Sequence, residues 1–231
     1  MSALTEREFL RLHVEACWGI SIPPIEHTRV VLPSTTALPP WSLYQANLSR
    51  ERVTLWRPDV SPEQQADLLQ RAQLADVAFD PALGMRREVV LRLSAKPYSH
   101  HAPPRPAARL LTAADESVLE AFEAGSATYF LSPQCAPCMG VIVDGRLVSV
   151  AHSSRRTIQA CELGINTLPE ARRQGYAATA VRAWTEAILR EGLVPIYSAF
   201  AHNIVSLRLA ATAGYARVSE SVYGPVAETK Q

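Results

Sequence analysis

At 231 residues the chain has room for one large domain or two small ones. Apolar residues make up 48% and charged residues 19%, a balance that suits a globular protein with a real core. The formal net charge is +1, which excludes a general attraction to nucleic acid or to an anionic membrane, so any anion site must be local. The start MSALTEREFLRL lacks the basic opening and apolar stretch of a signal peptide, and no apolar run is long enough to span a bilayer. The expectation is a soluble cytoplasmic protein.

In chain order, TEREFLRLHVEAC offers a capping box, with Thr5 as N-cap and Glu8 at N3, and places Phe9, Leu12 and Ala16 on one helical face. RVVLP and RVTLW read as strands. Asn47-Leu48-Ser49 fits a glycosylation acceptor, a chance match in a cytoplasmic protein. Ser61 as N-cap and Pro62 at N1 open a helix, and REVVLRL reads as another strand. KPYSHHAPPRPAARL cannot continue a helix and reads as a linker or extended crossing, where His100 and His101 are solvated. It divides the chain into an N-terminal α/β segment, 1–98, and a C-terminal part, 107–231.

The C-terminal part opens with a helix capped by Thr112, TAADESVLEAFEA. Asp144-Gly145 then supplies the positive φ of a tight turn in the hairpin GVIVDGRLVSVAHS. A third strand, TIQACELGIN, leads to the loop PEARRQG. YAATAVRAWTEAILREG forms a helix whose apolar face includes Trp184, with Gly192 as its stop. VPIYSAF is a strand, NIVSLRLAATAG a helix with Asn203 as N-cap, and YARVSESVYG a closing strand. Strand, helix and strand over 158–200 imply a parallel pair with a right-handed crossover, whereas the hairpin before it is antiparallel. The fold class is α/β (α+β), a mixed sheet flanked by helices. Cys135 and Cys138 form a lone C-x-x-C that lacks the second ligand pair of a structural zinc site. Reduced thiols near a loop are the favoured reading, and a metal held by Cys135, Cys138 and a distant His152 is the weak alternative.

The loop carries the chemistry. Orphan N–H groups and the positive end of the dipole at the start of the 177–191 helix combine with the close backbone approach at Gly175. Arg172 and Arg173 add charge, and together these features make a site for a phosphate or pyrophosphate. Tyr176-Ala177 stands where a P-loop needs Lys-Ser/Thr, and one glycine cannot make a dinucleotide fingerprint. An Arg-rich solvated turn is the remaining ordinary reading.

Arg172-Arg173-Gln174-Gly175-Tyr176-Ala177, led in by Pro169-Glu170, resembles the Q/R-x-x-G-x-G/A pyrophosphate loop of the GNAT acetyltransferase superfamily. NIVSLRLAATAGY resembles the family's segment after the next strand, and the likeness covers roughly residues 107–223. The resemblance implies a GNAT-like sheet and acetyl-CoA as acyl donor, with no metal. It implies pyrophosphate on the amides of Arg173 to Ala178, and Ile165, Asn166 and Thr167 beside the pantetheine and thioester. Asn203 would meet the pantetheine arm, with Ser206 nearby. Glu162 matches, within one residue, a carboxylate that acts as base in relatives, and a solvent-facing strand position is the equal alternative. Where many relatives carry a Tyr as acid for the leaving thiol, this chain has Ala210. Tyr197 and His202 are the nearby substitutes, a solvated loop residue being the ordinary reading of His202. Tyr215 and Trp184 read as core, and Cys161 as a small buried hydrophobe rather than a nucleophile.

The implied activity is acetyl transfer to the amine of a small molecule or peptide by direct attack. The alternatives are a sensor that binds acyl-CoA without turnover, and a longer acyl donor or a hydroxyl acceptor. A homodimer is the family-level expectation; neither nucleic acid nor membrane is expected as a partner.

Overall fold

The computed structural model describes residues 4–34, 37–77, 80–94 and 106–226. His100 and His101 lie outside them. The chain separates into two compact units that interleave in sequence: 1–91 with 198–207 and 217–231, and 92–197 with 208–216.

The first unit holds α1 (Glu6–Trp18), β1 (Arg29–Val31), β2 (Trp41–Asn47), β3 (Arg52–Trp56), α2 (Pro62–Val77), β4 (Arg86–Leu93) and most of β10 (Tyr215–Val226). Its strand order is β1-β3-β2-β10-β4. The capping box on α1 forms as expected: the Thr5 side chain accepts from Glu8 N–H, and the Glu8 carboxylate accepts from Thr5 N–H at 2.8 Å. Leu10 and Val14 of α1 share a core with Tyr44 and Leu55, while Leu68 and Ala72 of α2 share another with Leu43 and Trp56. Adjacent strand residues thus enter different cores, as the two-residue period requires. WSLYQAN, not anticipated as a strand, pairs with β3 on one side and β10 on the other. Both of its faces are covered, so it lacks the apolar–polar alternation that marks a half-buried strand.

The second unit runs through β5 (Ala108–Leu110), α3 (Glu116–Phe122), α4 (Ser126–Phe130), β6 (Met139–Val143), β7 (Arg146–Arg156), β8 (Ala160–Thr167), α5 (Tyr176–Arg190), the start of β9 (Val194–Phe200) and the end of α6 (Ile204–Thr212). The order is β9-β8-β7-β6-β5; β8 and β9 are parallel and the other pairs antiparallel, a mixed sheet with helices packed on it. Asp144 (φ 48°) and Gly145 (φ 79°) make the expected hairpin turn. The helix expected from Thr112 is broken. A short 3-10 turn precedes α3, and the chain leaves the helix at Glu123 and restarts as α4 after Gly125 (φ 79°). The Glu120 carboxylate drives the restart by accepting from the N–H groups of Gly125 (2.8 Å) and Ala127 (3.0 Å). The residues expected to be linker end in β5, which pairs with β6.

Candidate functional site

Two local features shape the loop before α5. Arg173 takes a left-handed backbone (φ 63°), a conformation that costs a residue with a Cβ roughly 1–2 kcal/mol, and Gly175 follows at φ 84°. Left-handed residues within a turn fold successive N–H groups toward one side, the geometry of an anion nest. Among the described residues no side chain caps α5, its first turn has no acidic residue, and its first backbone bond is Thr179 N–H to Gly175 C=O at 3.1 Å. The amides of Tyr176, Ala177 and Ala178 therefore precede the intrahelical ladder. Arg172 and Arg173 are exposed, and among the described residues neither guanidinium has an ion pair. Gln174 donates instead to Glu170 C=O at 3.2 Å, which braces the turn.

β8 and β9 pair only from Ala160–Glu162 to Val194–Ile196, and β8 then runs on to Thr167. A cleft of about 330 Å³ lies along this stretch, lined by Ile165, Asn166, Thr167, Leu168, Pro169 and Arg172 with Phe122 and Glu123. The structure thus brings four of the sequence-predicted residues, Ile165, Asn166, Thr167 and Arg172, to one surface. Asn203 stands at the head of α6 in the first unit, where its Oδ1 accepts from Ser206 N–H at 3.1 Å. Both residues have the expected place in the helix.

Glu162 is 3% exposed, which closes the solvent-facing alternative. Its carboxylate accepts from Arg155 at 2.8 Å, and it lines neither cleft described here. Ala210 is buried, and its methyl group offers no proton to a leaving thiol. Tyr197 is in the core, its ring edge-on to Tyr215 at 5.4 Å. His202 is exposed and stacks on Phe200. Trp184 and Cys161 are fully buried, and both reach the Ser153 hydroxyl, Trp184 Nε1 at 3.2 Å and Cys161 Sγ at 3.0 Å. Burial pushes the Cys161 thiol up, away from nucleophilic use.

A second cleft, of about 390 Å³, shares Glu123 and Asn166 with the first and extends to Gly125, Ser126, Tyr129, Phe130 and His152. His152 lies on β7 opposite Gly164 of β8, on the face covered by α4. Only glycine fits there, since a Cβ at position 164 would stand 2.3 Å from His152 Cε1. The Tyr129 hydroxyl lies 3.2 Å from His152 Nε2, and among the described residues Nδ1 has no partner although the residue is only 4% exposed. Burial lowers His152 to about 4, so the imidazole is neutral at physiological pH. The Tyr129 phenol is raised, first by burial and then by Cys135. Cys135, Cys138 and His152, weighed from sequence as a metal site, do not come together as an ion-holding group among the described residues. Burial, followed by the neighbouring Cys135, holds the Cys138 thiol up at about 12.

Residues 135–223 match the family model for GNAT acetyltransferases. This part of the chain is similar to the GNAT acetyltransferases. The matched segment includes β6 through β8, the arginine loop and α5. Among solved structures, a GNAT-family acetyltransferase from Colwellia psychrerythraea aligns over 74% of this chain and 75% of its own, at 15% identity and a TM-score of 0.52, which shows a shared fold. A GNAT-family protein from Novosphingobium aromaticivorans aligns over 60% of this chain at 23% identity and a TM-score of 0.47; the match spans 63% of that protein's length. No curated protein sequence matches significantly.

Sequence reasoning had missed Tyr129, Glu123 and Gly164. A glycine inside the strand ACELGIN signals a close approach, and a lone His in VSVAHSS is the group that makes it. Pairing the two requires the β7–β8 register.

Proposed function

We propose that the chain is an acetyl-CoA-dependent N-acyltransferase that moves an acetyl group to an amine by direct attack, with residues 107–231 as its catalytic part. The observation that carries this reading is the single cleft formed by Ile165–Thr167 and Arg172 beside an uncapped helix N-terminus. Amides of Arg173 to Ala178 and the two arginines would hold the pyrophosphate of the donor. The stretch of β8 beyond its pairing with β9 offers edge backbone groups to an extended pantetheine arm. A β8 N–H there would polarise the thioester carbonyl and stabilise the oxyanion as the amine attacks. Glu162, on the same face of β8 as Asn166, is the proposed base, acting through water because it lines neither cleft. Asn203 and Ser206 remain the proposed contacts of the arm at the head of α6.

The test is a calorimetric titration with acetyl-CoA. Micromolar affinity, about −8 kcal/mol, is expected. Absence of binding would end the reading.

A further inference from the structure

The chain lacks a hydroxyl where relatives place the acid for the leaving thiol, yet the cleft that adjoins the proposed donor site contains one. We propose that Tyr129 is the general acid for the departing CoA thiolate and that His152 is its positioning residue, an inference that rests on the acyltransferase reading above.

The argument starts from the imidazole. His152 Nδ1 is buried without a hydrogen-bond partner among the described residues. An orphaned N–H costs more than an orphaned ring lone pair, so the ring proton belongs on Nε2. Nε2–H then donates to Tyr129 Oη across 3.2 Å. The phenol keeps its own proton for another acceptor. The ring is locked in that role: Gly164 lies beneath it, and Phe130 (4.9 Å) and Tyr129 (5.4 Å) stand edge-on to it. Tyr129 is half exposed at the cleft, where Glu123 and Asn166 continue into the donor cleft. Cys135 also touches the phenol, and Arg155 lies close enough to act on it electrostatically.

The step balances. The amine nitrogen bonds to the acetyl carbon, and the C–S bond breaks with its electron pair moving to sulfur. The Tyr129 O–H bond breaks and its proton goes to sulfur, giving the thiol. His152 Nε2–H holds the tyrosinate until the proton that Glu162 took from the amine through water returns to it through solvent, which resets both groups.

The experiment measures acetyl-CoA binding by calorimetry and CoA thiol release with hydroxylamine, an amine that stays neutral over the working pH range. Tyr129→Phe is expected to lower kcat on the order of 10²-fold, with acetyl-CoA affinity and KM unchanged. His152→Gln keeps an N–H donor near Nε2 and is expected to retain most turnover, whereas His152→Leu falls as far as Tyr129→Phe. Wild-type kcat in Tyr129→Phe, or equal losses in the two His152 variants, would overturn the proposal while acetyl-CoA binding still upheld the acyltransferase reading. Wild-type protein that fails to bind acetyl-CoA would remove both.

Discussion

His13 in the first unit and His152 in the second are both withdrawn from water, at 0% and 4% exposure, but their surroundings differ. His13 Nε2 lies 3.0 Å from Glu88 Oε1, and its Nδ1 lies 3.3 Å from Cys17 Sγ. The same Glu88 oxygen accepts from the Tyr44 hydroxyl at 2.7 Å, so one carboxylate ties α1, β2 and β4 together. His152 has a phenol on one nitrogen and, among the described residues, no hydrogen-bond partner on the other. A buried polar group with its partners in place builds structure; one left wanting a partner needs another reason to be there. The difference separates a histidine that fastens a core from one that serves a cleft.

The largest expected effect breaks the satisfied side. Glu88→Ala removes the acceptor that His13 and Tyr44 share and should destabilise the protein by about 3–5 kcal/mol, read as a fall in the urea midpoint. On the other side, acid should expose the cost of an unpartnered imidazole. The folded-state value near 4 lies below the ordinary 6.5, so between those values the unfolded chain binds a proton that the folded chain refuses. Stability is then full above about pH 6.5 and falls by about 3 kcal/mol as the pH drops to 4. His152→Gln should remove that part of the acid sensitivity, measured as urea midpoint against pH.

Two smaller effects address the donor side of the second unit. Gly175→Glu puts a side chain and a negative charge at a left-handed position of the loop, and should weaken acetyl-CoA by at least about a hundredfold, close to 2.7 kcal/mol, with the circular dichroism spectrum retained. Unchanged affinity would detach the loop from donor binding. Glu162→Gln should lower turnover with acetyl-CoA affinity nearly intact; an unchanged pH–rate profile would remove Glu162 from the role of base.

The sequence by itself determined whatever rests on near neighbours in the chain. The capping box at Thr5 and Glu8, the turn at Asp144-Gly145, the stop at Gly192 and the Asn203 cap all form, because each depends on contacts within a few residues. The arginine loop was legible for the same reason: its charge, its glycine and its helix start are consecutive. β2 escaped notice because burial on both faces removes the periodic signal, and the α3–α4 break because Glu120, an ordinary helix former, turns its carboxylate to the next helix. Only the tertiary structure could decide which distant residues meet. Tyr129 reaches His152 across 23 positions, His152 lies over Gly164 through strand register, and His13 finds Glu88 across 75. Those pairings follow from how strands align and helices pack, which no local propensity encodes.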